Sequence, residues 1–112
     1  MWKIYHNPKC SKSRRALEIL KENEIIPEVI EYLNDPPSLD TLQNLSKALN
    51  VPPKLMLRTK EDVFKGLDLD IENGQAVLEA IVQHPKLLER PIVLHRDKAV
   101  IARPPEKVEG LF

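Results

Sequence analysis

The first third of the chain predicts a strand, a helix and a second strand in succession. WKIY (residues 2–5) is a short apolar run that a turn-forming Asn-Pro pair ends. From about Ser11, small and apolar residues recur on one helical face, and PEVIEYL (residues 27–33) alternates as a strand does. Because two strands that are joined through a helix usually pair in parallel, this order favours an α/β sheet.

The rest of the chain predicts further helices and a hairpin. Leucines at helical spacing predict a helix over 39–49, and Asn73 precedes a second periodic apolar segment. Between them, residues 54–67 predict a short helix and loop. RPIVLHRDKAVIARP (90–104) predicts a β-hairpin with HRDK as its turn, and one more helical turn can follow Pro104. Together these elements predict a small α/β fold with a mixed sheet flanked by helices.

Length, charge and cysteine content restrict the class of protein. At 112 residues the chain predicts a single domain, 1–112, and its 17 basic and 17 acidic residues balance, so neither nucleic acid nor an anionic membrane is expected as a partner. No apolar run is long enough to span a bilayer, and the N-terminus lacks the apolar region of a secretory signal. One cysteine cannot form an internal disulfide, which favours a reducing, cytoplasmic location.

Cys10 lies between the first predicted strand and the first predicted helix. The free N–H groups of a first helical turn favour a thiolate over a thiol, and they can also bind an oxyanion. Four flanking cations are expected to act on the thiol in the same direction: Lys9, Lys12, Arg14 and Arg15. This setting predicts a nucleophile. The alternative, an inert buried thiol with a merely structural histidine nearby, stays open at this point.

Spacing excludes two familiar cysteine motifs. A Cys-x5-Arg phosphate loop needs arginine at position 16, which holds Ala16. A C-x-x-C redox pair needs a second cysteine at position 7 or 13, which hold Asn7 and Ser13. Any redox cycle at Cys10 therefore needs an external thiol. The three histidines and the cysteine match no metal-ligand spacing, so no metal site is expected.

Five motifs together closely resemble the glutaredoxin-coupled arsenate reductase family, and in particular its short, chromosomal-type members. The motifs occur in the family's order from residue 4 to about residue 110: IYHNPKCSKSRRALEIL, YLNDPPSLDTL, LMLRTKE, HPKLLERPIV and ARPPEKV. The resemblance implies a thioredoxin-like fold with an inserted helical region. It is consistent with the mixed sheet and flanking helices that the periodicity predicts.

The resemblance also implies a reaction and its partners. Cys10 would attack arsenate to form a thiol-arsenate adduct, glutathione would join the arsenic, glutaredoxin would resolve the mixed species, and arsenite would leave. Glutathione is then a co-substrate, and no tightly bound cofactor is implied. A tetrahedral, multiply charged anion suits planar guanidinium groups, which can bind its oxygens in pairs.

The resemblance assigns roles to residues by their motifs. His6 is the histidine that helps to lower the pKa of the cysteine, and Ser13 and Arg14 support its loop. Pro91 takes the place of a proline that is commonly cis beside the active site of thioredoxin-like proteins. Three arginines are implied to bind the oxyanion and stabilise the intermediate: Arg58, Arg90 and Arg103.

Two other functions remain as alternatives. The same thiol chemistry could act on glutathione mixed disulfides or on another oxyanion, although three arginines favour a compact oxyanion. The second alternative belongs to a different class of function: a regulatory binding module like the Spx-type transcriptional regulators. Those proteins typically carry a C-x-x-C switch, which Ser13 interrupts in this chain.

Overall fold

The computed structural model describes all residues, 1–112, and the chain forms two compact units. The first unit comprises Met1–Asp35 and Arg90–Phe112, and the second is the continuous segment Pro36–Glu89. The second unit is helical and interrupts the sequence of the first, so the predicted inserted helical region is confirmed. A single domain over 1–112 stays a prediction. None of the helices is both long and apolar enough to cross a membrane.

A four-stranded mixed sheet with the order β2-β1-β3-β4 forms the centre of the first unit. Its strands are β1 (Trp2–Tyr5), β2 (Glu28–Ile30), β3 (Ile92–His95) and β4 (Lys98–Ile101). Strand β1 pairs in parallel with β2 and antiparallel with β3, and β3 pairs antiparallel with β4. The predicted parallel crossover and the predicted late hairpin are therefore confirmed, and both belong to one sheet.

Helix α1 (Ser11–Glu22) makes the crossover from β1 to β2, as its periodicity predicts. Its apolar face joins a core with side chains from the sheet and from a 3₁₀ segment near the C-terminus, Pro105–Leu111. The buried members of this core are Ile4, Ala16, Ile19, Leu20, Val93, Ala102 and Val108. Burying one large aliphatic side chain stabilises a fold by roughly 1.5–3 kcal/mol, so this core fixes α1 against the sheet. The loop that carries Cys10 lies between these two fixed elements.

Strand β2 is shorter than the sequence pattern predicts. The alternation suggests a strand over 27–33, but pairing covers only Glu28–Ile30. The backbone N–H groups of Asn34 and Asp35 both donate to the carbonyl oxygen of Glu31, at 2.9 Å each. The chain therefore turns directly after β2, and the turn overrides the alternation.

The hairpin turn is also shorter than expected. The polar segment HRDK suggests a four-residue turn, but His95 and Lys98 face each other as the last pair of the ladder. Only Arg96 and Asp97 connect the strands, and Arg96 has a φ of 60°. The polar side chains correctly predict the exposed end of the hairpin, but they do not predict the residue at which backbone pairing stops.

The second unit contains helices α2 (Leu39–Leu49), α3 (Asp62–Lys65) and α4 (Gly74–Gln83). Two of them have capping side chains: Ser38 Oγ accepts from Thr41 N at 3.2 Å, and Asn73 Oδ1 accepts from Ala76 N at 3.1 Å. Such caps satisfy N–H groups that the helix itself leaves unpaired. The predicted helix over 39–49, the helix after Asn73 and the short helix between them are all confirmed.

Candidate active site

Cys10 occupies the N-cap of α1, is partly exposed, and is the one free cysteine of the chain. Its backbone N–H donates to the carbonyl of Asn7 at 3.0 Å, and its own carbonyl accepts from Arg14 N at 3.0 Å. The side-chain Oδ1 of Asn7 also accepts from Lys9 N at 3.0 Å. These bonds fold the loop into a tight turn that ends at the first turn of the helix.

The environment of Cys10 favours its ionised form. Burial by itself would raise the pKa of the Cys10 thiol. Hydrogen bonding from the backbone N–H groups of Ser13 and Lys12 lowers it, and so do the positive charges of Arg90 and Arg103. The net result is a pKa below the ordinary value of 9.0. A larger thiolate fraction near neutral pH makes Cys10 a better nucleophile.

Two of the flanking cations, Arg14 and Arg15, have partners within the protein. The Arg15 guanidinium pairs with Glu18 at 2.6 Å and with Glu22 at 3.2 Å on the surface of α1. Arg14 Nη1 donates to the carbonyl of Pro8 at 2.9 Å, across the loop, which is consistent with the predicted loop support. The charges of Arg90 and Arg103 lower the pKa of Cys10. A contribution of Lys9, Lys12, Arg14 and Arg15 to the positive potential around Cys10 stays a prediction.

Arg90 lies just before β3 and Arg103 lies just after β4, so both are at the open end of the hairpin. Arg103 Nη1 donates to the carbonyl oxygen of Arg90 at 3.2 Å, and each arginine precedes a cis proline. The Arg90–Pro91 bond is thus cis, as the resemblance implies. Arg90 Nε is buried and makes no hydrogen bond within the protein. Because an unpaired buried donor is costly, this N–H is suited to an acceptor on a ligand.

His6 and Ser13 form a buried pair that local sequence reasoning did not find. His6 Nδ1 lies 2.6 Å from Ser13 Oγ, and Asn7 N donates to the same oxygen at 3.0 Å. Burial lowers the pKa of His6 below 6.5; Glu31 opposes this effect, and the charges of Arg14 and Lys21 add to it.

A neutral His6 ring can accept the Ser13 hydroxyl proton at Nδ1. Ser13 Oγ then accepts from Asn7 and donates to His6, which uses both kinds of hydrogen-bonding capacity of the hydroxyl. The contact of His6 is with Ser13, whose backbone N–H in turn acts on the Cys10 sulfur. A signal for this pair exists in the sequence: the turn-forming Asn7-Pro8 lies between the two residues and allows the chain to reverse.

Arg58 belongs to the second unit, where two carboxylates surround it. Its Nη1 lies 2.8 Å from Glu61 Oε1, and its Nε lies 3.8 Å from Glu89 Oε1. Its backbone N–H donates to the carbonyl of Leu87 at 2.7 Å. Within the first unit the structure brings together five of the predicted site residues: Cys10, His6, Ser13, Arg90 and Arg103. Within the second unit, Arg58 pairs with Glu61 and Glu89.

The fold and this site define a thioredoxin-like α/β protein with a single activated cysteine beside two arginines. The model of the ArsC family matches residues 5–111. The chain is 47% identical to an arsenate reductase of Neisseria meningitidis, covering 98% of this chain and 97% of the relative. It is 46% identical to an arsenate reductase of Haemophilus influenzae, covering 94% and 93%.

A solved structure agrees with these relatives. The arsenate reductase from Vibrio cholerae superposes with a TM-score of 0.91 at 41% identity, over 99% of this chain and 97% of that one. The chain belongs to the ArsC family, and its thioredoxin-like fold, predicted from the motifs, is confirmed.

Proposed function

We propose that this ArsC-family chain is an enzyme that reduces arsenate to arsenite, with Cys10 as the nucleophile and glutathione and glutaredoxin as the reducing thiols. The observation that carries the proposal is the position of Cys10, at the start of α1 with its pKa lowered by backbone N–H groups and by Arg90 and Arg103. The family match and the two relatives named as arsenate reductases support arsenate as the substrate.

In the first step the Cys10 thiolate attacks the arsenic atom of arsenate. A sulfur–arsenic bond forms, and one arsenate oxygen leaves as water after it is protonated. Two anions must approach each other, so the positive charges of Arg90 and Arg103 reduce their repulsion and stabilise the charge on the oxygens during attack. The unpaired Arg90 Nε–H is available to one of these oxygens.

The reducing electrons come from two external thiols. Glutathione forms a second sulfur–arsenic bond and releases another oxygen as water. A glutaredoxin thiolate then attacks the glutathione sulfur; a disulfide forms, and the electron pair of the broken sulfur–arsenic bond reduces As(V) to As(III). Water finally displaces the Cys10 sulfur from As(III), which releases arsenite and regenerates the thiol. Two thiols become one disulfide, so the electrons balance and Cys10 is not consumed.

The other predicted site residues act on this centre indirectly or on the substrate. His6 holds Ser13 by the 2.6 Å contact, so it acts on Cys10 through Ser13 as a positioning residue. Arg14 braces the loop through Pro8, and the cis Pro91 follows Arg90 directly. Arg58 supplies a third guanidinium for the oxyanion, by the family motif LMLRTKE. We propose a cytoplasmic setting, because the reaction depends on a reduced glutathione pool.

The direct test is arsenite production by the purified protein with arsenate, glutathione and glutaredoxin. We expect turnover by the wild type and none by Cys10→Ser, which keeps the size of the side chain and lacks the thiol. Omission of either external thiol source should stop the cycle. A wild type that forms no arsenite but reduces an added glutathione mixed disulfide would overturn arsenate as the substrate and favour the mixed-disulfide alternative.

A further inference from the structure

Arg58 pairs with two partly buried carboxylates, whereas Lys54 and Lys65 of the same unit each pair with one exposed carboxylate. The Arg58 guanidinium lies between Glu61, at 2.8 Å from Nη1, and Glu89, at 3.8 Å from Nε. The Arg58 side chain is only 22% exposed, and the side chains of Glu61 and Glu89 are each 28% exposed. The Lys54–Glu72 pair of the same unit is much more exposed, at 40% and 66%. Exposed pairs contribute little to stability, but a partly buried pair keeps a defined geometry.

The backbone holds these three side chains in place. Leu57 and Leu88 form an antiparallel bridge, and the neighbouring N–H of Glu89 donates to the carbonyl of Met56 at 2.8 Å. Arg58 and Glu89 therefore extend from two segments that are hydrogen-bonded to each other. Glu61 is the N-cap residue of α3, three positions after Arg58, and its carbonyl accepts from Phe64 N at 3.1 Å.

The two carboxylates engage two of the three guanidinium nitrogens. Nη1 is held by Glu61 and lies 3.5 Å from the carbonyl oxygen of Lys86, while Nε faces Glu89. Nη2 makes no hydrogen bond within the protein, and it is not the nitrogen that approaches either carboxylate most closely. Because a guanidinium is planar and rigid, fixing two nitrogens also fixes the direction of the third.

We propose that Glu61 and Glu89 are positioning residues for oxyanion binding, which fix the Arg58 guanidinium so that Nη2 is presented to the substrate. This inference rests on the proposed role of Arg58 in binding the oxyanion. The inference adds two acidic residues to a site whose substrate is itself an anion. Their benefit is that they pre-organise the Arg58 guanidinium before the substrate binds. A guanidinium that is already ordered loses less side-chain entropy when it binds, which offsets the repulsion between the carboxylates and the substrate.

Glu61 gives the sharper test because its contact has hydrogen-bond length. Glu61→Ala removes the acceptor, and Glu61→Gln keeps an oxygen at the same place. We expect Glu61→Ala to raise KM for arsenate about tenfold with a smaller effect on kcat, the scale of one charge-assisted hydrogen bond. Glu61→Gln should restore KM to within about threefold of the wild type, since a neutral acceptor retains part of the bond. Glu72→Ala is the matched control on the exposed pair and should leave KM unchanged.

A double-substitution cycle separates positioning from a structural effect. If Glu61 acts through Arg58, Glu61→Ala should add no further rise in KM to an Arg58→Ala background. An equal rise in both backgrounds would overturn the inference, as would a KM for Glu61→Ala that matches the wild type.

A binding measurement keeps this test separate from turnover. Arsenate at increasing concentration should protect Cys10 from alkylation, and Glu61→Ala should need about tenfold more arsenate for half-protection, again the scale of one charge-assisted bond. Protection without arsenite formation would overturn the proposed reduction and leave the positioning role supported. Protection that is unchanged by both Arg58→Ala and Glu61→Ala would overturn the positioning role alone.

Discussion

His6 Nδ1 and Ser13 Oγ lie 2.6 Å apart, and both residues are buried although seven positions separate them in sequence. His6 follows the last residue of β1, and Ser13 lies in the first turn of α1. Their contact therefore fastens the end of the strand to the start of the helix. Since the Ser13 N–H also lowers the pKa of Cys10, the same contact supports the nucleophile.

Removal of the Ser13 hydroxyl should destabilise the protein and weaken activation of the thiol. Ser13→Ala leaves His6 Nδ1 and the Asn7 N–H without their partner, and an unsatisfied buried group costs about 1–3 kcal/mol. The free energy of unfolding in urea measures this loss. Ser11→Ala, at an exposed position two residues away in the same helix, is the matched control and should stay within about 0.5 kcal/mol of the wild type. Equal stabilities of the two variants would contradict the account.

His6 predicts a pH dependence of stability. Its pKa is lowered in the folded state by burial, so the unfolded chain takes up the proton more readily. The stability that neutral His6 contributes is complete above 6.5 and is lost as pH falls through 6.5 toward the folded value. Urea unfolding at several pH values across this window should show a smaller acid loss for His6→Gln than for the wild type. A His6→Gln variant that keeps the wild-type slope would contradict this role of His6.

Arg103 is expected to act on substrate binding and on the thiol together. Arg103→Ala removes a charge that lowers the pKa of Cys10 and a donor that holds the Arg90 carbonyl. We expect KM for arsenate to rise at least about tenfold, the scale of a charge-assisted hydrogen bond to an anion. Steady-state kinetics check this, with Arg96→Ala, an exposed arginine in the hairpin turn, as the control. Unchanged kinetics in Arg103→Ala would exclude Arg103 from the site.

The fold could be predicted from the sequence because its signals are local. Periodicity located α1, α2 and α4, and the order of elements indicated a mixed sheet. The end of β2 could not be predicted, because the backbone turn at Glu31 decides it and side-chain alternation continues past that turn. The same holds for the hairpin, where His95 and Lys98 are polar but still pair across the strands.

The site was predictable only in part from the residues near Cys10. The helix start and the free N–H groups follow from local pattern, whereas the pairing of Arg15 with Glu18 and Glu22 could not be read from the charge of the loop. The arginines that lower the pKa of Cys10 lie at least 80 positions away in the numbering, at 90 and 103, and the antiparallel pairing of β1 with β3 brings their segment back to the first strand. Only the family motifs pointed to them, since no local pattern encodes contacts over that separation.

The central claim, that the fold makes Cys10 a thiolate nucleophile, is tested most directly by the rate of Cys10 alkylation against pH. Because Cys10 is the only cysteine, the signal needs no assignment. We predict a midpoint in the folded protein below the ordinary 9.0 and below that of the urea-unfolded chain, with Arg90→Ala and Arg103→Ala each moving it upward. A folded midpoint equal to or above that of the unfolded chain would contradict the account.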